Sequence, residues 1–192
     1  MLITVEGLDG AGKTTLIAGL SAALDALVLR EPGGVEVSER IRTLLKDPAL
    51  AIDPRAEALL YAAARAQLVA EELRPLLDAG TTVLLDRFVD SSLAYQGAGR
   101  GLGVEQIRAL NEFATGGLRP DRTLLLRIDP AEGLARIADR PSDRLERSGQ
   151  AFFAAIAEAY DALAAAEPDR IAVIDASQPP DAVLADALAA LQ

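Results

Sequence analysis

Three groups of polar residues sit at the ends of short apolar runs, and their types are those of phosphate chemistry. The first is Gly7-Leu8-Asp9-Gly10-Ala11-Gly12-Lys13-Thr14, directly after Leu2-Ile3-Thr4-Val5 and ahead of an alanine- and leucine-rich stretch. This is G-x-x-x-x-G-K-[ST] between strand and helix, the context its physics requires. The glycines let the backbone curl so that successive N–H groups point at phosphate oxygens. The helix N-terminus adds partial positive charge, Lys13 reaches the β- and γ-phosphates, and the Thr14 hydroxyl is a ligand for magnesium. An ordinary glycine turn is the alternative, but strand, spacing and helix agree on a nucleoside triphosphate.

The second group is Arg30-Glu31-Pro32-Gly33-Gly34 and the third is Asp86-Arg87-Phe88. Alone, the one reads as a turn and the other as a surface ion pair. In an open parallel sheet, however, ligands bind at the carboxyl ends of the strands. Three polar strand ends on one edge are what phosphoryl transfer needs. Asp86 closes the run Val83-Leu84-Leu85, where a carboxylate helps hold magnesium; the other role open to it is a helix N-cap.

Pairs at four-residue spacing follow. Tyr61 and Arg65 share a helix face, as an aromatic ring and a guanidinium would for a nucleobase, or as a core tyrosine beside a snorkelling arginine. Ser91 with Tyr95, and Ser92 with Gln96, form two adjacent polar stripes. Arg136, Arg140, Arg144 and Arg147 lie among Asp139, Asp143 and Glu146, and Pro141-Ser142 argues for a loop there. Arginines on a mobile loop over a phosphoryl group make a lid; a solvated charged loop fits equally well.

The elements that must position these residues alternate short apolar runs with helical ones, which argues for βαβ units and a parallel sheet. Strands are expected at 2–6, 26–30, 81–86, 123–128 and 170–175. Helices are expected at 13–26, 35–45, 54–79, 104–115, 130–139, 150–166 and 180–191, with a short one from near Arg87 ending before Gly97. Pro54 and Pro130 fall at helix starts, where a missing N–H costs little. The 192 residues suit one domain. A net charge of −10 argues against broad binding to nucleic acid, so phosphate must be met by a few placed cations. With neither cysteine nor histidine in the chain, disulfides, thiolate metal sites and histidine catalysis are excluded. Phosphoryl transfer survives both losses, because it relies on positioning and cations. No apolar run approaches membrane-spanning length and no signal-peptide plan is visible, so no membrane is expected and the cytoplasm is the expected compartment.

Together these residues resemble the thymidylate kinase family, which phosphorylates dTMP to dTDP with ATP. The resemblance rests on Glu6 through Thr15, on Arg30-Glu31-Pro32-Gly33-Gly34, on Asp86-Arg87-Phe88 through Asp90-Ser91-Ser92-Leu93-Ala94-Tyr95-Gln96-Gly97, on Pro120-Asp121 and on Asp143-Arg144-Leu145-Glu146. It implies a P-loop, nucleoside monophosphate kinase-like α/β fold: a five-stranded parallel sheet flanked by helices, one domain over 1–192, with a short lid at about 139–149. It implies that Gly7, Leu8, Asp9, Gly10, Ala11, Gly12, Lys13, Thr14 and Thr15 hold ATP, with Mg2+ at Thr14 and Asp86. Tyr61 would stack on thymine, Arg65 would donate to a base carbonyl, and Ser92 and Gln96 would read the rest of the base edge. Arg42 and Arg87 would hold the acceptor phosphate, with Glu31, Pro32 and Ser91 beside the nucleotide. Tyr95 would crowd the place of a 2′-hydroxyl, and Asp9 would orient the acceptor. Some relatives carry an arginine where this loop has Gly10-Ala11, so the catalytic cation is expected from the lid, as Arg140 or Arg144, beside Lys13, Asp9 and Arg87. Departures are Ala155 and Ala157, where relatives often carry arginines, and Arg127, where an acidic or polar residue is common. A homodimer is implied. The alternatives are a kinase for another nucleoside monophosphate and a nucleotide-dependent switch, although the guanine signature Asn-Lys-x-Asp is absent.

Overall fold

Five parallel strands form one sheet in the order β2-β3-β1-β4-β5 in the computed structural model, which describes residues 1–139 and 144–192. They are β1 (Leu2–Gly7), β2 (Leu27–Arg30), β3 (Val83–Asp86), β4 (Arg122–Arg127) and β5 (Ile171–Asp175). The register places Val5, Arg30 and Asp86 in one row across β1, β2 and β3. The expected convergence of the three polar strand ends is therefore a consequence of the ladder. β1 is central and buried throughout, as a parallel strand covered on both faces must be.

Period-two alternation divides the apolar side chains between two cores. Ile3, Val5 and Leu84 face the larger one; Leu2, Val83 and Leu85 face the smaller. The larger core packs under α1 (Lys13–Leu24), α8 (Gln150–Ala166) and α9 (Pro180–Ala189), and Phe152, Ile156, Tyr160 and Leu163 of α8 are all buried in it. The smaller core sits near α2 (Glu36–Lys46) and α3 (Pro54–Leu68) and takes Val35, Leu68 and Phe88. Asp53 caps α3, accepting from the Arg55 N–H at 2.8 Å. Asp129 caps α7 (Pro130–Arg136), accepting from Ala131 N–H at 2.8 Å. Both prolines occupy the expected first turns.

Helix bounds match or shift by a residue or two, and three departures from expectation are larger. The stretch expected as one helix over 54–79 widens to a π-helical turn at Val69–Leu73 before α4 (Arg74–Asp78). Pro75 lacks an N–H and its ring displaces the carbonyl of Glu71, so the preceding turn opens. The short helix after Arg87 begins as α5 (Val89–Ser92) and continues through Gly97 as a π-helical stretch, Leu93–Gly99. Glycine does not break it because these positions serve packing: a Cβ on Gly99 would lie 2.7 Å from the Phe152 ring. Finally α7 ends at Arg136 rather than at Asp139. α6 (Val104–Thr115) falls at its expected bounds.

Candidate active site

A cavity of about 460 Å³ opens at the carboxyl ends of β1, β2 and β3. Asp9, Gly10, Gly12, Lys13 and Thr14 line one side of it. Glu31, Pro32 and Arg42, then Tyr61 and Arg65 of α3, form another. Asp86, Arg87, Ser91, Ser92, Tyr95 and Gln96 complete the wall. Most of the residues expected to meet the two substrates thus line one space.

The phosphate loop owes its path to close backbone contacts. Gly10 has φ +82°, and a Cβ there would stand 2.0 Å from the carbonyl oxygen of Gly133 in α7. At Gly12, φ is +91° and the same construction meets nothing within 4 Å, so that face of the loop is open for a ligand. Gly7, Leu8 and Ala11 shape the loop from behind and do not line the cavity; Thr15 is exposed on the first turn of α1. Lys13 folds back to donate to the carbonyl oxygens of Gly7 (3.1 Å) and Leu8 (2.8 Å). Burial, with the nearby Arg87 charge, lowers its pKa to about 8.

Arg87 adopts φ +69°, an uncommon conformation for a non-glycine residue that costs about 1–3 kcal/mol. The twist turns its guanidinium onto Asp9 (Nη2 to Oδ1, 2.8 Å), the Ser91 hydroxyl (3.0 Å) and the Tyr95 hydroxyl (3.2 Å), over the Tyr95 ring. Burial would lift the Asp9 pKa, but the Arg87 and Lys13 charges overcome it and hold the carboxyl well below the usual range. Behind this set lies Glu6, fully buried and accepting from the Phe88 N–H (2.7 Å), the Ser91 hydroxyl (2.5 Å) and the Tyr160 hydroxyl (2.9 Å). Its pKa is raised, by burial first and by the Asp90 charge second.

Arg65 is the largest fully buried side chain. Its Nε and Nη2 reach Glu31 Oε2 at 2.7 and 2.6 Å, Nη1 donates to the Ser92 hydroxyl (2.9 Å) and to Asn111 Oδ1, and Nη2 donates to the Phe88 carbonyl (2.8 Å). These four hydrogen bonds and the ion pair hold Arg65 in the cavity wall, on the side where it is expected to face the base. Here it braces the base-facing wall, and Glu31 serves as its counter-ion. Burial lifts the Glu31 pKa to about 7 against the pull of Arg65, and its Oε1 is buried without a partner.

Arg144, expected over the phosphates, does not line this cavity. Its Nη1 is 2.6 Å from Glu57 Oε2 and its Nε donates to the Leu45 carbonyl at 3.0 Å. Glu57 is fully buried, and a buried carboxylate needs a cationic partner such as this guanidinium. Arg140 lies outside the described residues. Arg30 and Arg136, from the motifs singled out in the sequence, also face the cavity, and so does Lys46, which only its place in the fold identifies.

Asp86 is not a helix cap: Phe88 takes the N-cap position of α5, and Asp86 Oδ1 is buried without a hydrogen-bond partner. An orphaned carboxylate oxygen in the same cavity as the Thr14 hydroxyl fits a hard divalent cation. Among the described residues no group of three or more acidic, histidine or cysteine side chains would hold a metal alone. Such an ion would complete its shell with phosphate oxygens and water.

The family model described as thymidylate kinase matches residues 5–187. A thymidylate kinase of Deinococcus radiodurans is 50% identical over 197 residues, covering 100% of this chain and 96% of its own. One from Lactobacillus delbrueckii subsp. bulgaricus is 50% identical over 186 residues, covering 92% and 88%. The crystal structure of thymidylate kinase from Ehrlichia chaffeensis superposes with a TM-score of 0.81 at 30% identity, covering 100% of this chain and 98% of that one.

Proposed function

The chain belongs to the thymidylate kinase family, and from that premise we propose how its residues move the γ-phosphoryl group of ATP to dTMP. The observation that carries the reading is the single cavity shared by the phosphate loop and the base-facing wall. The loop N–H groups and Lys13 take the β- and γ-phosphates of ATP, Lys13 exchanging its loop carbonyls for phosphate oxygens. Thr14 and Asp86 would hold Mg2+, which when bound neutralises charge on the transferring phosphates. Arg87 and Arg42 meet the acceptor phosphate, and Asp9 keeps Arg87 aimed. Tyr61 stacks on thymine, while Ser92 and Gln96 face its edge. Tyr95, fixed between Arg87 and Phe152, closes the space where a 2′-hydroxyl would sit.

The acceptor is a phosphate oxygen, already ionised near neutral pH, so transfer needs no general base. Catalysis reduces to holding two anions in line and neutralising them. The last cation comes from the lid, as Arg140 or as Arg144 released from Glu57. We further propose a cytoplasmic homodimer: Leu59 on α3 and Phe113 on α6 are 57% and 87% exposed, on helices that pack together. Among the described residues no helix is long and apolar enough to cross a membrane. The test is ATP consumption with dTMP, dUMP, dCMP, dGMP and AMP as acceptors. Preference for dTMP is expected, and preference for a purine acceptor would refute the reading.

A further inference from the structure

Glu57 lies in the first turn of α3, 0% exposed, and enters the chemistry described above only as the group from which Arg144 is released. It gathers three side chains, Gln96 and Arg100 from one segment and Arg144 from another. Its Oε1 accepts from Gln96 Nε2 at 2.9 Å and from Arg100 Nε at 3.2 Å. Its Oε2 faces Arg100 Nη2 at 3.1 Å and Arg144 Nη1 at 2.6 Å. Resting on the dTMP reading, we propose that Glu57 is a positioning residue that sets which end of the Gln96 amide faces the acceptor base. It thereby selects bases with a ring N–H at that edge, such as thymine and uracil, over cytosine.

The argument follows from what each group can do. A carboxylate between two guanidinium groups accepts hydrogen bonds and offers none. The amide of Gln96, which is 2% exposed, must therefore turn its NH2 toward Glu57. Flipping it would set an amide oxygen against a carboxylate oxygen and leave the NH2 unpaired, a cost of about 1–3 kcal/mol. Turned this way, Gln96 presents Oε1 to the cavity it lines, and among the described residues no donor meets that oxygen. An amide oxygen accepts from the N3–H of thymine or uracil. Cytosine has an unprotonated, accepting N3 there, so two acceptors would face each other.

The test compares kcat/KM for dTMP and for dCMP in the parent and in Glu57→Gln. Glutamine keeps the size of the side chain. With two arginines claiming its oxygen, it turns NH2 toward residue 96, and Gln96 must then offer its own NH2 to the base. The ratio of dTMP to dCMP is expected to fall about tenfold or more. General loosening of the fold, or a change on the ATP side, lowers both values and leaves the ratio unmoved; an unchanged ratio overturns the proposal. Because residue 57 is fully buried, a second measurement uses the parent protein. The Gln96 side-chain NH2 protons, followed by 1H–15N NMR without nucleotide, should exchange slowly with solvent. Exchange at the rate of an exposed amide would overturn the Glu57 contact. A parent that turns over no dTMP defeats the functional reading instead, and the exchange experiment still decides the contact.

Discussion

Replacing Arg65 with methionine removes one side chain that ties the β2 turn to α5 and α6. The structure gives the terms. Glu31 loses its cation while only 3% of its side chain is exposed, and the Ser92 hydroxyl, Asn111 Oδ1 and Phe88 carbonyl each lose a donor. Breaking a buried ion pair from one side costs about 3–5 kcal/mol, because the stranded charge is worse than no pair. Glu31 limits that cost by binding a proton. With Arg65 present its pKa is already about 7, against 4.5 in the unfolded chain; without Arg65, burial acts unopposed and lifts it further. A raised carboxyl pKa gives stability that is full below the unfolded value and lost as pH rises through the folded one. The parent stops losing stability near pH 7, whereas the variant goes on losing it. The deficit of Arg65→Met should therefore widen by about 1.4 kcal/mol per pH unit above 7. Urea unfolding followed by far-UV circular dichroism at pH 6 and pH 8 measures this, since the chain has no tryptophan to report by fluorescence. Adding Glu31→Gln should recover part of the loss at pH 8, since a neutral amide needs no cation. A deficit under about 1 kcal/mol, or one that narrows from pH 6 to pH 8, would show that Arg65 is not the counter-ion on which Glu31 depends.

Lys13→Ala should abolish nearly all turnover while circular dichroism stays unchanged; normal turnover would remove Lys13 from the site. In the parent, the Lys13 pKa of about 8 means that ATP binding at pH 9 must take up a proton. Calorimetry in buffers of different ionisation heat should detect that uptake, and its absence would show that Lys13 does not engage phosphate. Gly133→Ala sets a methyl 2.9 Å from the Asp9 carbonyl, so α7 must retreat from the phosphate loop. A loss of about 1–3 kcal/mol in stability with weaker ATP binding is expected, against no change in either if the contact is incidental. Glu6→Gln turns an acceptor of three donors into a group that must point an NH2 at one of them. About 1–3 kcal/mol in urea unfolding is the expected cost, and a neutral result would count against the Glu6 brace.

What was legible in the sequence is what local spacing encodes. Gly7 through Thr14, the strand ends at Arg30 and Asp86, and the capping prolines each act within a few residues of chain, and the structure puts them where they were expected. Tyr61, Ser92 and Gln96 follow from helical spacing and from resemblance. What escaped depends on distant segments meeting. The guanidinium of Arg65 finds partners from residue 31 to residue 111, so no window of sequence reveals the network it holds together. The approach of Gly10 to Gly133 spans more than a hundred residues, and Gly133 inside a helix gives no local sign of it. Arg144 reads as a lid cation until Glu57, far back in the chain, shows where it docks. Gly99 reads as a helix breaker because its neighbour across the fold, Phe152, cannot be seen in advance.

Phosphorus NMR of the protein incubated with ATP, Mg2+ and dTMP follows the phosphoryl group itself from donor to acceptor. The dTDP resonances should grow in step with those of ADP, with no free phosphate. ADP and inorganic phosphate appearing while dTMP stays unchanged would contradict transfer to dTMP, and would leave a nucleotide hydrolase or switch in place of a kinase.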